Sequence, residues 1–341
     1  MLTYSHYCRW IGTKFFFPVT IKLQDLINIS FLLLSSNFMK KLLTLSFVFA
    51  LISSFSNQVH ADIHFYGKIN VSLEDEDSKN ANETDFQNNA SRIGVKGSYN
   101  FSPGIKLSFQ IEEEIDPTDL RADGDKVFKE RNTFIAISGS LGKLYTGTHD
   151  TAFKQSQLKV DLFNDTRADI KYILRGENRM NSFVGYLSPD LIDGLNVSIN
   201  SISQSTGNGE STAFNYSKNN IKASFAVEQN IKGYDGKRFS AMIPLGEIDL
   251  GLLYQSSKKL SSGQSFSGHV VSMKRQISDK GSIYIQNAKS DMKIVSGKQN
   301  SIGYTYKINS STKIFAHYSK LSKQNSIDDV TFISTGLEYK F

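Results

Sequence analysis

Apolar and polar side chains alternate along much of the chain. In residues 62–73, DIHFYGKINVSL, every second position from Ile63 to Leu73 is apolar or glycine, and His, Tyr, Lys, Asn and Ser lie between. Because successive side chains of a strand point to opposite faces, this period of two predicts a strand with one apolar face. Fifteen further segments repeat the pattern, and no amphipathic helix of convincing length appears. The sixteen predicted strands lie near 62–73, 90–99, 105–112, 131–138, 142–149, 179–187, 195–203, 212–218, 221–229, 238–244, 248–255, 266–277, 282–289, 299–307, 312–320 and 329–341.

The connections between these strands differ in length. Short turns such as 100–104 and 139–142 alternate with longer polar loops such as 74–89 and 116–130. Short turns at one end and long loops at the other are typical of an outer-membrane barrel. A strand of about ten residues, tilted by ~45°, spans roughly 23 Å, which is close to the ~25 Å apolar band of such barrels.

A secreted β-sandwich or solenoid also uses many alternating strands, and it is the competing architecture. Sixteen strands exceed one sandwich, no composition boundary divides the chain, and the last residue is the apolar Phe341. Closing the sheet pairs the last strand with the first and leaves no open edge. The sequence therefore predicts an all-β fold, a 16-stranded antiparallel transmembrane β-barrel over residues 62–341.

The segment before the first strand resembles an export signal. Met39 is followed by two lysines, an apolar run from Leu42 to Phe55, and Val59-His60-Ala61 as a cleavage site. This three-part pattern predicts a signal peptide over 39–61, with an uncleaved anchor as the alternative. The run has 14 residues, fewer than the ~20 that a spanning helix needs. Residues 1–38 form an upstream extension of doubtful status, and the simplest hypothesis is that translation begins at Met39.

Cleavage after Ala61 changes the composition. It removes the only cysteine, Cys8, and the only tryptophan, Trp10. It also removes five Lys or Arg residues and one Asp, which leaves 34 basic and 32 acidic residues, a net charge of +2 against +6 for the whole chain. A disulfide-stapled domain is excluded, and nucleic-acid binding loses its main support. No part of 62–341 approaches the ~18 consecutive apolar residues of a membrane helix.

Several stretches resemble one family in their order along the chain. They are DIHFYGKINVSL at 62–73, SRIGVKGSYNFSPGIKLSFQIEEEID at 91–116, RNTFIAISGSLGKLYTGTHDTAF at 131–153, NRMNSFVGYLSPDLIDGLNVSI at 178–199 and TGLEYKF at 335–341. Together they resemble the general, usually trimeric, porins of Gram-negative outer membranes, particularly the neisserial-type branch. The resemblance is clearest over 62–200 and the last strand.

This resemblance implies a water-filled pore narrowed by an inward-folded third extracellular loop, which corresponds to 150–178. In the family, acidic side chains of this loop face basic side chains of the wall. The wall residues map by motif onto Lys68, Arg92, Arg131 and Arg179, and the loop candidates are Asp161, Asp165 and Asp169. Alternation independently assigns Lys68, Arg92 and Arg131 to the polar face, because a lipid-facing Lys or Arg at mid-bilayer costs about 2–4 kcal/mol.

The function that follows from the resemblance is passive diffusion of small hydrophilic solutes and ions, selected by size and charge. The implied partners are further copies in a homotrimer, outer-membrane lipid, lipopolysaccharide and the barrel-assembly machinery, with no nucleic acid. Leu337, Tyr339 and Phe341 match the family's barrel-assembly signal. Five acidic and five basic residues in 150–178 cancel, so the ion preference stays open.

Other chemistry finds little support. The histidines at 64, 149, 269 and 317 have no metal-ligand spacing, and no Gly-x-Ser-x-Gly motif occurs. We therefore expect no catalytic residues, no metal and no cofactor. The run Glu112-Glu113-Glu114 is interpreted as solvated charge, with cation binding left open. Two alternatives remain, a barrel enzyme and an adhesin or structural barrel with a plugged lumen, and a conducting pore would separate the channel from both.

Overall fold

The computed structural model describes residues 62–78, 81–118, 128–293, 297–322 and 329–341. The predicted signal peptide, 39–61, and the upstream segment, 1–38, lie outside the described residues. Within those ranges, no helix is long and apolar enough to cross a membrane.

Eighteen β-segments make up nearly all of the regular structure. They are β1 (Asp62–Ser78), β2 (Ala81–Asn88), β3 (Arg92–Ser102), β4 (Ile105–Ile115), β5 (Phe128–Glu130), β6 (Thr133–Gly139), β7 (Gly142–Asp150), β8 (Arg179–Leu187), β9 (Leu195–Ile202), β10 (Gly209–Lys218), β11 (Ile221–Ile231), β12 (Tyr234–Leu245), β13 (Ile248–Lys259), β14 (Ser265–Gln276), β15 (Gly281–Ser290), β16 (Lys298–Lys307), β17 (Thr312–Ser322) and β18 (Asp329–Lys340). A short α-helix, α1 (Ala152–Gln155), and a 3-10 turn (Ile170–Tyr172) lie between β7 and β8.

The segments form one closed antiparallel sheet. Successive strands along the chain pair with each other, and β1 pairs with β18 to close the ring. Segments β2 and β3 both pair with β1 and form one interrupted strand, as β5 and β6 do along β4. The eighteen segments are therefore sixteen barrel strands, and each of the sixteen predicted strands overlaps one of them. The predicted 16-stranded antiparallel barrel is confirmed.

One predicted loop is wrong. Residues 74–89 are not an irregular polar loop, because β1 continues to Ser78 and pairs with β2 in a hairpin. Two acidic side chains of β1 have partners, one within the hairpin and one in the connection between β7 and β8. Asp75 accepts a hydrogen bond from Thr84 Oγ1 at 3.0 Å, and Glu74 pairs with Arg167 Nε at 3.1 Å. The extra strand length is stabilised by these charge contacts.

The sheet has an apolar face and a polar face, as the period of two requires. Large apolar side chains remain exposed on every side of the barrel, with Phe65 83% exposed. Exposure of so many large apolar groups is typical of a surface that contacts lipid. The alternate positions are mainly small or polar and face the enclosed space, which we call the lumen; examples are Ser72, Asn200, Ser240, Gln286 and Ser319.

The connection from β7 to β8, residues 151–178, packs against the lumen face. Its apolar residues Val160, Ile170, Ile173 and Leu174 are fully buried. They form one cluster with side chains from neighbouring strands, namely Leu253, Val270 and Ala288, and with Met292. Because Leu253 alternates with the exposed Tyr254, this cluster lies on the inner side of the wall. Burial of these groups holds the connection against β13, β14 and β15.

The closing seam includes the last residue. Gly67 N–H donates to Phe341 O at 3.0 Å, and Phe341 N–H donates to Gly67 O at 3.2 Å. The Phe341 ring covers Gly67 so closely that an added Cβ would lie 2.2 Å from it. Only glycine allows this close approach without a shift of the ring.

Candidate functional site

Asp165 links the connection 151–178 to the opposite wall. Its Oδ2 accepts hydrogen bonds from Lys68 Nζ at 2.8 Å and from Arg92 Nη2 at 2.6 Å. Lys68 and Arg92 are direct partners in the pairing of β1 with β3, so neighbouring strands present both cations to one carboxylate. On the other side of Lys68, its partner on β18 is Lys340. Asp165 therefore lies against a row of three basic residues.

A network of local hydrogen bonds shapes the backbone at Asp165. The residue has a φ of 70°, which a non-glycine residue rarely adopts. Its N–H donates to Asp169 Oδ2 at 2.9 Å, and Asp169 Oδ1 accepts the Lys171 N–H at 2.6 Å at the start of the 3-10 turn. Asp169 thus shapes the segment that carries Asp165, and its own ion pair is with Lys171, at 3.5 Å.

The charges around Asp165 stabilise its ionised form. Burial by itself raises the pKa of this carboxyl group, but the opposing effects of Lys68 and Arg92 are larger in sum and lower the pKa to about 2. Opposite charges at hydrogen-bond distance favour the charged form of an acid. Asp165 is therefore a permanent negative charge across the ordinary pH range.

Arg131 meets acidic residues of the wall. Its Nε lies 2.8 Å from Glu112 Oε1, and its Nη1 lies 2.6 Å from Glu114 Oε2. Glu112 also accepts a hydrogen bond from Tyr66 Oη at 3.0 Å and lies 3.8 Å from Arg92 Nη1. The interpretation of this acidic run as solvated charge is wrong for these two residues. Alternation on β4 puts residues 112 and 114 on one face of the sheet, and this pattern in the sequence indicates that both carboxylates face the lumen.

Arg179 is held at the mouth of the connection. Its Nε lies 3.0 Å from Asp150 Oδ1 and 2.9 Å from Asn132 Oδ1. Asp150 also pairs with Lys154 of α1, at 3.1 Å. The structure thus brings Lys68 and Arg92 together at Asp165, and it gives Arg131 and Arg179 separate carboxylate partners on the wall.

Asp161 does not contact any of the four predicted basic residues. It is buried, and it accepts hydrogen bonds from Phe163 N at 3.0 Å, Ile170 N at 3.1 Å and Gln286 Nε2 at 3.2 Å. Burial and, to a smaller extent, Asp169 raise the pKa of Asp161, against the opposing effect of these three donors. Asp161 therefore joins the backbone of the connection to Gln286 on β15.

Arg238 is a fully buried arginine that no motif in the sequence indicates. Arg238 on β12 lies 2.9 Å from Glu177 Oε1 and donates from Nη1 to Phe153 O at 3.0 Å. Its Nε donates to Gln255 Oε1 at 2.9 Å, and its guanidinium stacks on the Phe153 ring at 4.5 Å. Burial raises the pKa of Glu177, and Arg238 opposes that shift. Arg238 lies at an alternate position of β12, on the same strand face as Gly236 and Ser240. This alternation is the feature of the sequence that places Arg238 on the lumen face.

Two cavities meet at Asp165. The larger, about 900 Å³, lies between the connection and the wall, and charged side chains dominate its lining. Eight are basic and six are acidic: Arg92, Lys129, Arg131, Lys154, Arg167, Lys171, Arg179 and Lys232, with Glu114, Glu130, Asp150, Asp165, Asp169 and Glu177. The second, about 500 Å³, is also lined by Arg92, Asn164 and Asp165. The ion pair thus forms the boundary between two polar spaces.

Metal chemistry has no site within the described ranges, since no three His, Cys, Asp or Glu side chains there are grouped to hold an ion. The arrangement instead offers fixed positive and negative charges beside open polar space. Such charges act through their field on ions and polar molecules that enter this space.

Known proteins similar to this chain are outer-membrane proteins and porins. The major outer membrane protein P.IB of Neisseria sicca is 27% identical over 126 residues, 34% of each chain, so the match spans about a third of that relative. Outer membrane porin protein 32 of Delftia acidovorans is 23% identical over 267 residues, 69% of this chain and 75% of that protein. The solved anion-selective porin from Comamonas acidovorans has the same fold, with a TM-score of 0.71 at 19% identity over 83% of this chain and 100% of that one.

The match to a family covers most of the chain. Residues 47–341 fit the family described as Gram-negative porin. They include all sixteen barrel strands, the connection 151–178 and the basic row at Asp165. This protein is a member of the Gram-negative porin family.

Proposed function

We propose that this protein forms a water-filled channel in the outer membrane, for passive diffusion of small hydrophilic solutes and ions. The observation that carries the proposal is the meeting of two charged cavities at Asp165, Lys68 and Arg92 inside a barrel with an apolar outer face. A polar lumen and a lipid-compatible exterior are the two requirements for such a pore. Passive flow needs no catalytic group and no cofactor.

The connection 151–178 is proposed to be the inward-folded third loop that narrows the channel. In this proposal Asp165 is the acidic constriction residue, and Lys68, Arg92, Arg131 and Arg179 form the basic wall. Asp161 and Asp169 support the loop, because their hydrogen bonds go to its backbone. The buried cluster around Leu174 keeps the loop against β13–β15, so the open path lies on the other side, along β1–β8.

We propose a preference for anions. The lining of the larger cavity has more basic than acidic side chains, and Lys340 adds to the basic row next to Lys68. A lumen with an excess of one charge sign raises the local concentration of ions of the opposite sign. The similar Comamonas structure is named as an anion-selective porin, which agrees with this preference.

The remaining parts of the proposal concern export and assembly. Residues 39–61 act as a cleaved signal peptide and 62–341 as the barrel domain. Leu337, Tyr339 and Phe341 act as the signal for the barrel-assembly machinery, and three copies associate in the membrane beside lipopolysaccharide. The basic start, apolar run and cleavage site in 39–61 support the signal peptide, and the family resemblance supports the assembly signal and the association of three copies.

The test is electrical recording from refolded 62–341 in a planar bilayer under a salt gradient. Steady openings in three coupled levels are the expected result, and the sign of the reversal potential reports the anion preference. A folded barrel without any conductance would overturn the channel proposal and favour the adhesin or structural alternative, with 151–178 as the plug. A reversal potential of the opposite sign would overturn the anion preference alone.

A further inference from the structure

A third cavity lies below the connection, at the short-turn end of the barrel. It has a volume of about 220 Å³ and extends between Phe163 of the connection and the inner wall formed by β14–β18. Four lysines line it, Lys274 on β14, Lys280 in the turn before β15, Lys307 on β16 and Lys313 on β17. This group, which we call the lysine cluster, does not line the two cavities at Asp165.

The pairing of the strands brings the lysine cluster together. Lys307 and Lys313 are direct partners in the pairing of β16 with β17. The Lys307 N–H donates to the Lys280 carbonyl at 2.8 Å, which ties the turn to the same place. Like charges directly opposite each other on a sheet are destabilising, so this arrangement needs negative charge nearby.

The carboxylates of the wall supply only part of that charge. Glu338 lies 3.1 Å from Lys313 and also 3.1 Å from Lys340. Lys274, Lys280 and Lys307 have no carboxylate within ion-pair distance in the part of the chain that the structure describes, and they are exposed to the lumen. Three ammonium groups thus face one small space, and the nearby carboxylates, Glu338 in its lining and Asp249 opposite Lys274 on β13, form no ion pair with any of them.

Neutral donors complete the lining of this cavity. The hydroxyl groups of Ser282, Tyr284 and Thr305 all border it, and Thr305 Oγ1 donates to Tyr284 Oη at 3.4 Å. Each lysine carries three N–H donors and no acceptor. A ligand for this site therefore needs several acceptor oxygens and a negative charge.

We propose that the lysine cluster binds a small multivalent oxyanion, for which inorganic phosphate is the probe. A tetrahedral dianion offers four acceptor oxygens, enough to meet three separate ammonium groups and neighbouring hydroxyls, whereas chloride is a single acceptor centre. Hydrogen bonds with both partners charged are the stronger class of such contacts. This inference rests on the proposed channel function. It adds to that function a class of solute, a multivalent oxyanion, which binds transiently on the short-turn side of Asp165.

The experiment compares wild type with two triple variants of equal charge. In K274Q/K280Q/K307Q the three unpaired lysines are neutralised. The control, K106Q/K143Q/K222Q, neutralises three lysines at lumen-facing strand positions that line none of the three cavities. Chloride current is recorded at constant ionic strength with increasing phosphate, since salt screens these charges. Phosphate binding to the same proteins in detergent is measured separately by calorimetry.

The expected result is a saturable reduction of current by phosphate in wild type and in the control. In K274Q/K280Q/K307Q the apparent phosphate affinity falls at least tenfold, both in current and in calorimetry. Equal phosphate responses in the two variants, or none in wild type, would overturn the site. A barrel without current that still binds phosphate through these lysines would overturn the channel and keep the site. Heat-modifiable mobility on gels checks that each variant is folded.

Discussion

Arg92 Nη2 lies 2.6 Å from Asp165 Oδ2, although the two residues are 73 positions apart. The contact joins a barrel strand to the connection between β7 and β8, and Lys68 strengthens it from the next strand. It leaves the sum of the three charges positive. The electrostatics of the space around these residues therefore depend on whether this one carboxylate is present and ionised.

Neutralising Asp165 should increase the preference for anions. In D165N the charges of Lys68 and Arg92 lose their counter-charge, and a unit charge about 4 Å from a permeating ion is worth about 1 kcal/mol in water. We expect the chloride-to-potassium permeability ratio to rise by about fivefold, as measured by reversal potential. The control D190N, in an exposed turn, should leave the ratio unchanged. An unaltered ratio in D165N would mean that ions pass elsewhere.

The depressed pKa of Asp165 predicts resistance to acid. Its carboxyl group titrates near 2 in the folded protein against an ordinary value of 3.8. For an acid whose pKa is lowered by folding, the stabilisation is fully present above the ordinary value and is lost as the pH falls through the folded value. The selectivity contributed by this group should thus hold from pH 7 to about 4 and shift toward anions near pH 2. A shift that is complete by pH 5, absent in D165N, would contradict the assigned contacts.

Removing Arg238 should lower the free energy of unfolding, because Glu177 would stay buried without its partner. Breaking a buried ion pair from one side destabilises by about 3–5 kcal/mol. We expect R238M to lower the free energy of unfolding by this amount and to increase current noise from a looser connection. Adding E177Q should recover part of the loss. The matched control R275M removes an exposed pair with Glu247 and should cost no more than about 1 kcal/mol. Equal effects of R238M and R275M would refute the anchoring role.

His317 should be replaceable by phenylalanine. The side chain is 4% exposed, it contacts the rings of Phe163 and Phe315, and neither ring nitrogen has a hydrogen-bond partner among the residues described. An unsatisfied buried polar group costs about 1–3 kcal/mol, so H317F should keep or raise the free energy of unfolding, as measured in urea. A clear loss of stability in H317F would reveal a role for the imidazole. The variant F315Y changes the neighbouring ring and serves as the comparison for a small change at the same place.

Deleting Phe341 should impair assembly. The deletion removes the hydrogen bonds with Gly67 at the seam and the ring that stacks on Tyr339, at 5.8 Å between centroids. We expect a strong reduction in folded barrel in the outer membrane, measured by heat-modifiable mobility of membrane fractions. F341Y keeps the ring and the backbone, and it should assemble normally. Wild-type amounts of folded protein after the deletion would count against both the seam and the assembly signal.

The strands could be predicted from the sequence because their signal is local. In β1, for example, the alternation from Ile63 to Leu73 needs only neighbouring residues to be interpreted, and antiparallel pairing follows from short turns. The interval 150–178 also stood out by its length. The hairpin β1–β2 was missed because Glu74 is stabilised by Arg167, a residue of the distant connection.

The contacts of the site could be predicted only in part. Asp165 was one of three loop candidates, and composition gives no reason to prefer it over Asp161, which differs by accepting backbone hydrogen bonds under the loop. Arg238 and Glu177 are 61 positions apart in a chain with many exposed ion pairs. Their burial depends on how the connection packs against β12, a long-range relationship that a period of two does not encode.

The seam between β1 and β18 has a consequence for how the barrel forms. Pairing of these strands brings Lys68 opposite Lys340, two like charges that oppose closure. Asp165 neutralises the first and Glu338 the second, at 2.8 and 3.1 Å. Docking of the connection therefore favours closure, because Asp165 offsets the charge of Lys68 where it faces Lys340. Loss of the Asp165 carboxylate should therefore weaken the seam between β1 and β18 as well as change the charge of the lumen beside it.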